Sequence, residues 1–272
     1  MRVQTDHKTI SPKKILKILQ RYDIGKRPLS VLLGWGEQTV SRYLEGHIPT
    51  YAYSKKLNKI YDDPAYYYEL LKNNRGRLHS QLTYDKSRKA TEKLLGVEKD
   101  ENSAINKITA YILNKGGAEI TPLMLQKTLY YIQGFYLAFY KKTLIDEDCE
   151  AWVHGPVYKS IYYQYSDYQY NIIDSIGDIE DIEFSDRAKV LIDSVVRYFC
   201  CYSGKILEKF THQEEPWLIA RKDLLAGTPS NEIISTESMR VFFEKVMKQH
   251  DMSTPSDIKK YAEKLFNEAV LM

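Results

Sequence analysis

Four side chains in the second half of the chain have the types and spacing for acid–base or metal chemistry: His154, His212, Glu214 and Glu215. A helical metal pair needs ligands one turn apart, and His212 and Glu215 meet that spacing. Pro216 starts a helix better than it continues one, which puts both ligands ahead of the helix instead of on one face of it. No nucleophile stands beside a base at a legible spacing, and no glycine-rich phosphate loop occurs, so no reaction class follows. Cys149, Cys200 and Cys201 form no C-x-x-C word. That argues against a thiolate zinc site and a disulfide scaffold and suits a reducing cytoplasm. The expectation is a protein that is not an enzyme, with no cofactor and no metal. His212 is expected to cap a turn and Trp217 to pack in the core.

Binding chemistry is easier to find. In "VLLGWGEQTVSRYLEGHIPT" (residues 31–50) a short helix over residues 37–45 presents Gln38, Thr39, Ser41, Arg42 and Glu45 opposite its apolar face. Glutamine can bond adenine and arginine can grip guanine with two hydrogen bonds. Thr39, Ser41, Lys26 and Arg27 suit phosphates. The charge supports a polyanionic partner: residues 1–96 hold 19 Lys+Arg against 9 Asp+Glu, or +10, and residues 97–272 hold 20 against 27, or −7. Clustered cations displace condensed counterions from DNA.

A second binding surface is legible in "YKSIYYQYSDYQY", six tyrosines in thirteen residues (158–170). Tyrosine gives stiff, amphipathic contact area and is enriched at interfaces. Tyr162, Tyr163, Tyr165, Tyr168 and Tyr170 are expected to supply partner-facing side chains. Some of the segment must be core, because Ile161 and Tyr165 share a helical face. Trp152, His154, Gly155, Pro156 and Tyr158 form a compact corner, either fold-defining or part of the same surface. The acid-rich run at residues 174–186 reads as a solvated loop.

These residues are positioned by a mainly helical scaffold. A length of 272 residues with 43% hydrophobic content supports two domains with real cores. In the first, Ser11-Pro12 opens a helix, Pro28 a second, and Gly34-Trp35-Gly36 turns the chain into the third. Thr50 and Asp63-Pro64 open two more. The polar stretch 79–102 reads as a linker, with at most a helical turn at residues 90–95. In the second domain, helices are expected from Ser103 to Gly116-Gly117, from Thr121-Pro122 to Tyr140, from Val157 onward, over residues 186–201, 203–210 and 235–248, after Pro216, and behind a capping box at Thr254. A short strand over residues 149–153 and a turn at Gly155-Pro156 leave room for at most a small β-hairpin. The most apolar stretch, residues 123–140, contains Gln126, Lys127 and Gln133, which suits a core helix and not a membrane span. No signal peptide is expected at the lysine-rich start.

"PLSVLLGWGEQTVSRYLEG" followed by "IPT" resembles the repressor-type helix-turn-helix of MqsA-type antitoxins over residues 11–80, without the zinc finger those proteins often carry. "LMLQKTLYYIQGFYLAFY", "EAWVHGPVYKSIY" and "CYSGKILEKFTHQEEPWLIAR", in that order, resemble the Panacea (SocA-like) antitoxin domain over residues 103–225. The resemblance implies a helix-turn-helix domain at 1–78, a linker at 79–102 and a Panacea domain at 103–272. It implies an antitoxin that binds its cognate toxin directly and represses its own operon at operator DNA. A homodimer is expected, because one helix-turn-helix reads few base pairs. Two other readings fit the same words: a phage or prophage transcription regulator with a sensing second domain, and a proteolytic adaptor that delivers a toxin to a protease.

Overall fold

The computed structural model describes residues 9–97, 103–115, 119–174, 183–225 and 227–270. These residues form fourteen α-helices and one three-stranded antiparallel sheet, a mainly α architecture. The chain divides into two compact units, Met1–Glu98 and Lys99–Met272, each with its own apolar core.

The first unit holds α1 (Pro12–Arg21), α2 (Lys26–Leu32), α3 (Thr39–Leu44), α4 (Tyr51–Asp62), α5 (Pro64–Asn73) and α6 (Gln81–Leu95). Ser11, Thr50 and Asp63 accept from backbone N–H groups at the starts of α1, α4 and α5, as their residue types imply. Ile15, Ile18, Leu29, Leu32, Val40, Leu57 and Ile60 close the core. The helix expected over residues 37–45 is shorter, because Gln38 occupies its N-cap and the Thr39 N–H closes a turn onto the Gly36 carbonyl.

The largest departure is α6. Residues 81–95, expected as linker, form a fifteen-residue helix that packs on α5. Its attachment is mostly polar. Ser87 Oγ donates to the Tyr22 carbonyl (2.6 Å) and pairs with the Tyr67 hydroxyl (2.7 Å), and Tyr22 and Tyr67 stack at 3.8 Å. Tyr84, Ser87 and Thr91 are its buried side chains. Hydrogen bonds satisfy the buried hydroxyls, so the helix needs no continuous apolar stripe and shows none in its sequence.

The second unit is built around α8 (Pro122–Tyr140). Against it lie α7 (Ala104–Lys115), α10 (Asp186–Phe199), α11 (Gly204–His212) and α13 (Thr236–Gln249), with α9 (Lys159–Tyr165), α12 (Glu215–Ala220) and α14 (Ile258–Val270) completing the unit. Fourteen of the nineteen residues of α8 are buried, including every one from Met124 to Phe135. Gly134 lets the Phe243 ring lie against its backbone, where a Cβ would collide, and Tyr131 stacks on Phe199 at 3.9 Å. The Thr254–Asp257 capping box forms ahead of α14.

β1 (Cys149–Trp152) pairs with β2 (Gly155–Tyr158) in the register Cys149↔Tyr158 to Trp152↔Gly155, and β3 (Ile233–Ile234) adds to the other side of β1. The turn expected at Gly155-Pro156 falls at Val153-His154 instead, so residues 155–158 are strand and the helix begins at Lys159. Gly155 opens β2 at φ +96. The helix stop expected at Gly116-Gly117 and most of the acid-rich run, residues 175–182, lie outside the described residues.

Candidate functional site

In the first unit, a short connection over residues 33–38 joins α2 to α3. Ser30, fully buried on α2, fixes the junction. Its Oγ donates to the Lys26 carbonyl (3.0 Å) and accepts from the Val40 N–H (3.1 Å), which holds the first turn of α3 on α2. Gly34 supplies φ +73 in the connection. Trp35 stacks on Tyr53 at 4.1 Å, tying the connection to α4. This frame leaves Gln38 and Arg42 exposed at i, i+4 spacing, with Thr39 and Ser41 half-buried between them. Lys26 and Arg27 are exposed at the start of α2, but Arg27 is engaged with Glu37 at 2.9 Å.

In the second unit, the three polar residues that interrupt the apolar run of α8 are its connections to the rest of the unit. The Gln126 amide accepts from the Tyr158 N–H (2.8 Å) and donates to the Tyr158 carbonyl (3.2 Å), clamping the end of β2. Gln133 accepts from the Leu144 and Ile145 N–H groups and donates to the Ile145 carbonyl. Lys127, fully buried, donates to the Pro156 carbonyl at 2.9 Å. Burial pulls its ammonium down to about 7 and pushes the neighbouring Cys149 thiol up to about 12. A Cβ on Gly155 would lie 2.7 Å from Lys127 Nζ and 2.8 Å from Thr211 Oγ1, so glycine is required there by space as well as by φ. Among the described residues no helix is long and apolar enough to cross a membrane.

The T-H-x-x-x-P-W-x-x-A-R word of residues 211–221 also grips this hairpin. Trp217 Nε1 donates to the Trp152 carbonyl (2.9 Å), and Arg221 donates to the carbonyls of Ala151 (2.8 Å) and Thr228 (2.6 Å). His212, expected to cap a turn, instead stacks on Trp217 at 4.2 Å. Glu214 is buried and accepts from the hydroxyls of Tyr131 (3.0 Å) and Tyr261 (2.9 Å), while burial raises its carboxyl to about 7. His154 pairs with Glu208 at 2.8 Å, and Glu215 pairs with Lys245 at 2.6 Å. Glu214 and Glu215 thus have separate partners, while His212 lies near Glu208 and His154 without a hydrogen bond to either. Among the described residues no three His, Cys, Asp or Glu side chains converge in a metal-binding group.

The tyrosine segment divides. Tyr158, Tyr163 and Tyr165 are buried, which corrects their expected place on a partner-facing surface. Tyr158 ends the clamped strand with its ring in the core, and Tyr165 shares the inward face of α9 with Ile161. Tyr170 is 87% exposed. Trp152 and Tyr162 are half-buried and meet edge to face at 4.6 Å, His154 is exposed, and Tyr168 is half-buried with its hydroxyl on Asp174 (3.1 Å). Leu218 and Ile219 on α12 expose large apolar side chains directly after the Trp217 anchor. Nothing in "EPWLIA" marks them as outward-facing, because six residues are too few for a helical period to show.

No curated protein and no solved structure matches this chain. Residues 125–218, which run from α8 through the hairpin to α12 and contain the Gln126, Lys127 and Trp217 anchors, match the family model described as Antitoxin SocA-like, Panacea domain.

Proposed function

We propose that this protein is an antitoxin whose second unit binds and occludes a protein toxin and whose first unit binds operator DNA and represses the same operon. The match of residues 125–218 to an antitoxin family model carries the first half. The charge split carries the second, with the α2–α3 frame that displays Gln38, Thr39, Ser41 and Arg42 beside the basic Lys26 and Arg27. The toxin-facing surface comprises Trp152, His154, Tyr162, Tyr168 and Tyr170, extended by Leu218 and Ile219. Aromatic side chains already held by packing lose little entropy when a partner covers them. Neutralisation is by occlusion, and DNA binding is by a homodimer, because paired half-sites supply the base pairs that one reader lacks.

Co-expression with the product of the neighbouring reading frame tests both halves. Residues 97–272 alone should restore growth. The Gln38→Ala/Arg42→Ala full chain should lose operator binding and still restore growth. Failure of residues 97–272 to rescue while the full chain succeeds would overturn the separation of reader and neutraliser. Rescue that disappears in a protease-deficient host would favour the proteolytic adaptor.

A further inference from the structure

We infer that Lys56 and Arg77 form a phosphate-contacting pair that grips the DNA backbone beside the α2–α3 connection. The inference rests on the DNA-binding reading above. It adds two residues that lie outside the α2–α3 segment and that its sequence pattern does not mark.

Arg77 closes a single 3-10 turn, Arg75–Arg77, its N–H bonded to the Asn74 carbonyl. From there its guanidinium lies across Gly34: a Cβ at Gly34 would stand 2.7 Å from Arg77 Nη1. The turn at residue 34 leads directly into Gln38 and α3. Trp35, the next residue, stacks on Tyr53, and Lys56 lies one helical turn beyond Tyr53 on α4. Arg77 packed on Gly34, and Lys56 one turn from the Tyr53 ring that holds Trp35, thus flank the connection that delivers the base-reading helix.

Neither cation has an ion-pair or hydrogen-bond acceptor among the described side chains. Other basic side chains of this unit are engaged: Arg75 bonds Gln81 (2.9 Å) and lies over the Tyr84 ring, and Arg27 bonds Glu37. Burial, and to a smaller extent the Arg77 charge, hold the Lys56 ammonium below its ordinary value. An anion between them would offset both the burial of the Lys56 charge and its repulsion from Arg77. A DNA phosphodiester fits, since Arg and Lys are the side chains that neutralise it and Gly34, under Arg77, is four residues from Gln38. The ion pair that compensates Arg27 makes it the weaker phosphate ligand of the two basic regions.

The test is salt-dependent binding of the full-length protein to two labelled 30-bp duplexes (~30 bp covers two half-sites and their flanks). One comes from upstream of its own reading frame and one is unrelated in sequence. If two phosphate contacts are lost in Lys56→Gln/Arg77→Gln, the slope of log K against log salt should fall by about 1.8 on both duplexes. Arg77→Lys keeps the charge and should keep the slope, and it serves as the folded control if the double variant melts early. An unchanged slope in the double variant overturns the inference while the DNA-binding reading stands. Weaker binding to one duplex alone, with the slope intact, also overturns it by assigning base contact instead. Wild-type protein that binds neither duplex overturns the DNA-binding reading itself.

Discussion

Lys127 gives the sharpest handle on the second unit. It is fully buried, its single hydrogen bond goes to the Pro156 carbonyl, and its ammonium titrates near 7 against an ordinary 10.5. Below pH 7 both folded and unfolded chains carry the proton, and the folded state bears the whole desolvation penalty. Between 7 and 10.5 the unfolded chain binds the proton and the folded chain sheds it, so stability rises with pH. For these two values the gain from pH 7 to pH 8.5 integrates to about 1.6 kcal/mol. Lys127→Met removes the titration. It also leaves the Pro156 carbonyl without its donor, at a cost of about 1–3 kcal/mol that does not depend on pH. The variant can therefore lie above or below wild type, but the gap between the two must shift by about 1.6 kcal/mol in favour of wild type as pH rises across that window. Urea unfolding read by a brief saturating thiol pulse reports the right unit, because Cys149 and Cys200 are both buried in it. Parallel curves for wild type and Lys127→Met at pH 7 and 8.5 would refute the assignment of a desolvated lysine.

Two further outcomes follow from the same core. Glu214 titrates near 7 against 4.5, so its folded form holds a proton that the unfolded chain has lost, and wild-type stability falls as pH rises through that interval. Glu214→Gln keeps an acceptor for Tyr131 and Tyr261 and should gain on wild type between pH 5 and 7 in the same pulse assay, the opposite sense to Lys127; a constant difference would contradict this. Gly155→Ala combines a left-handed φ with collision against Lys127 and Thr211, and should destabilise the unit by more than ~2 kcal/mol, measured as a lower urea midpoint. A midpoint unchanged from wild type would mean that the corner relaxes freely.

Much of this was legible in the sequence. Helix starts at Ser11, Thr50, Asp63 and Thr254 follow from residue types that satisfy free backbone N–H groups locally, with no need of distant partners. The apolar run of residues 123–140, interrupted by Gln126, Lys127 and Gln133, reads as a core helix because a lipid environment would leave those three groups unsatisfied. What those groups hold was not legible, since their acceptors lie 12 to 32 residues away. The same holds for α6, whose Ser87 bonds a carbonyl 65 residues distant. A polar helix with such ties looks like linker until its partners are known. Tyrosine content marked a surface, but tyrosine is as suited to a core with one bonded hydroxyl as to an interface. Helical spacing with Ile161 already hinted at an inward Tyr165, but only tertiary packing separates Tyr158 and Tyr163 from Tyr170. Sequence alone determined the local elements, the basic and acidic halves and the words that resemble an antitoxin domain, because these depend on residue type and short spacing. The packing of Arg77 on Gly34, the clamp on β2 and the division of the tyrosines were decided by the tertiary structure, because each depends on packing between segments that nothing in their local sequence brings together.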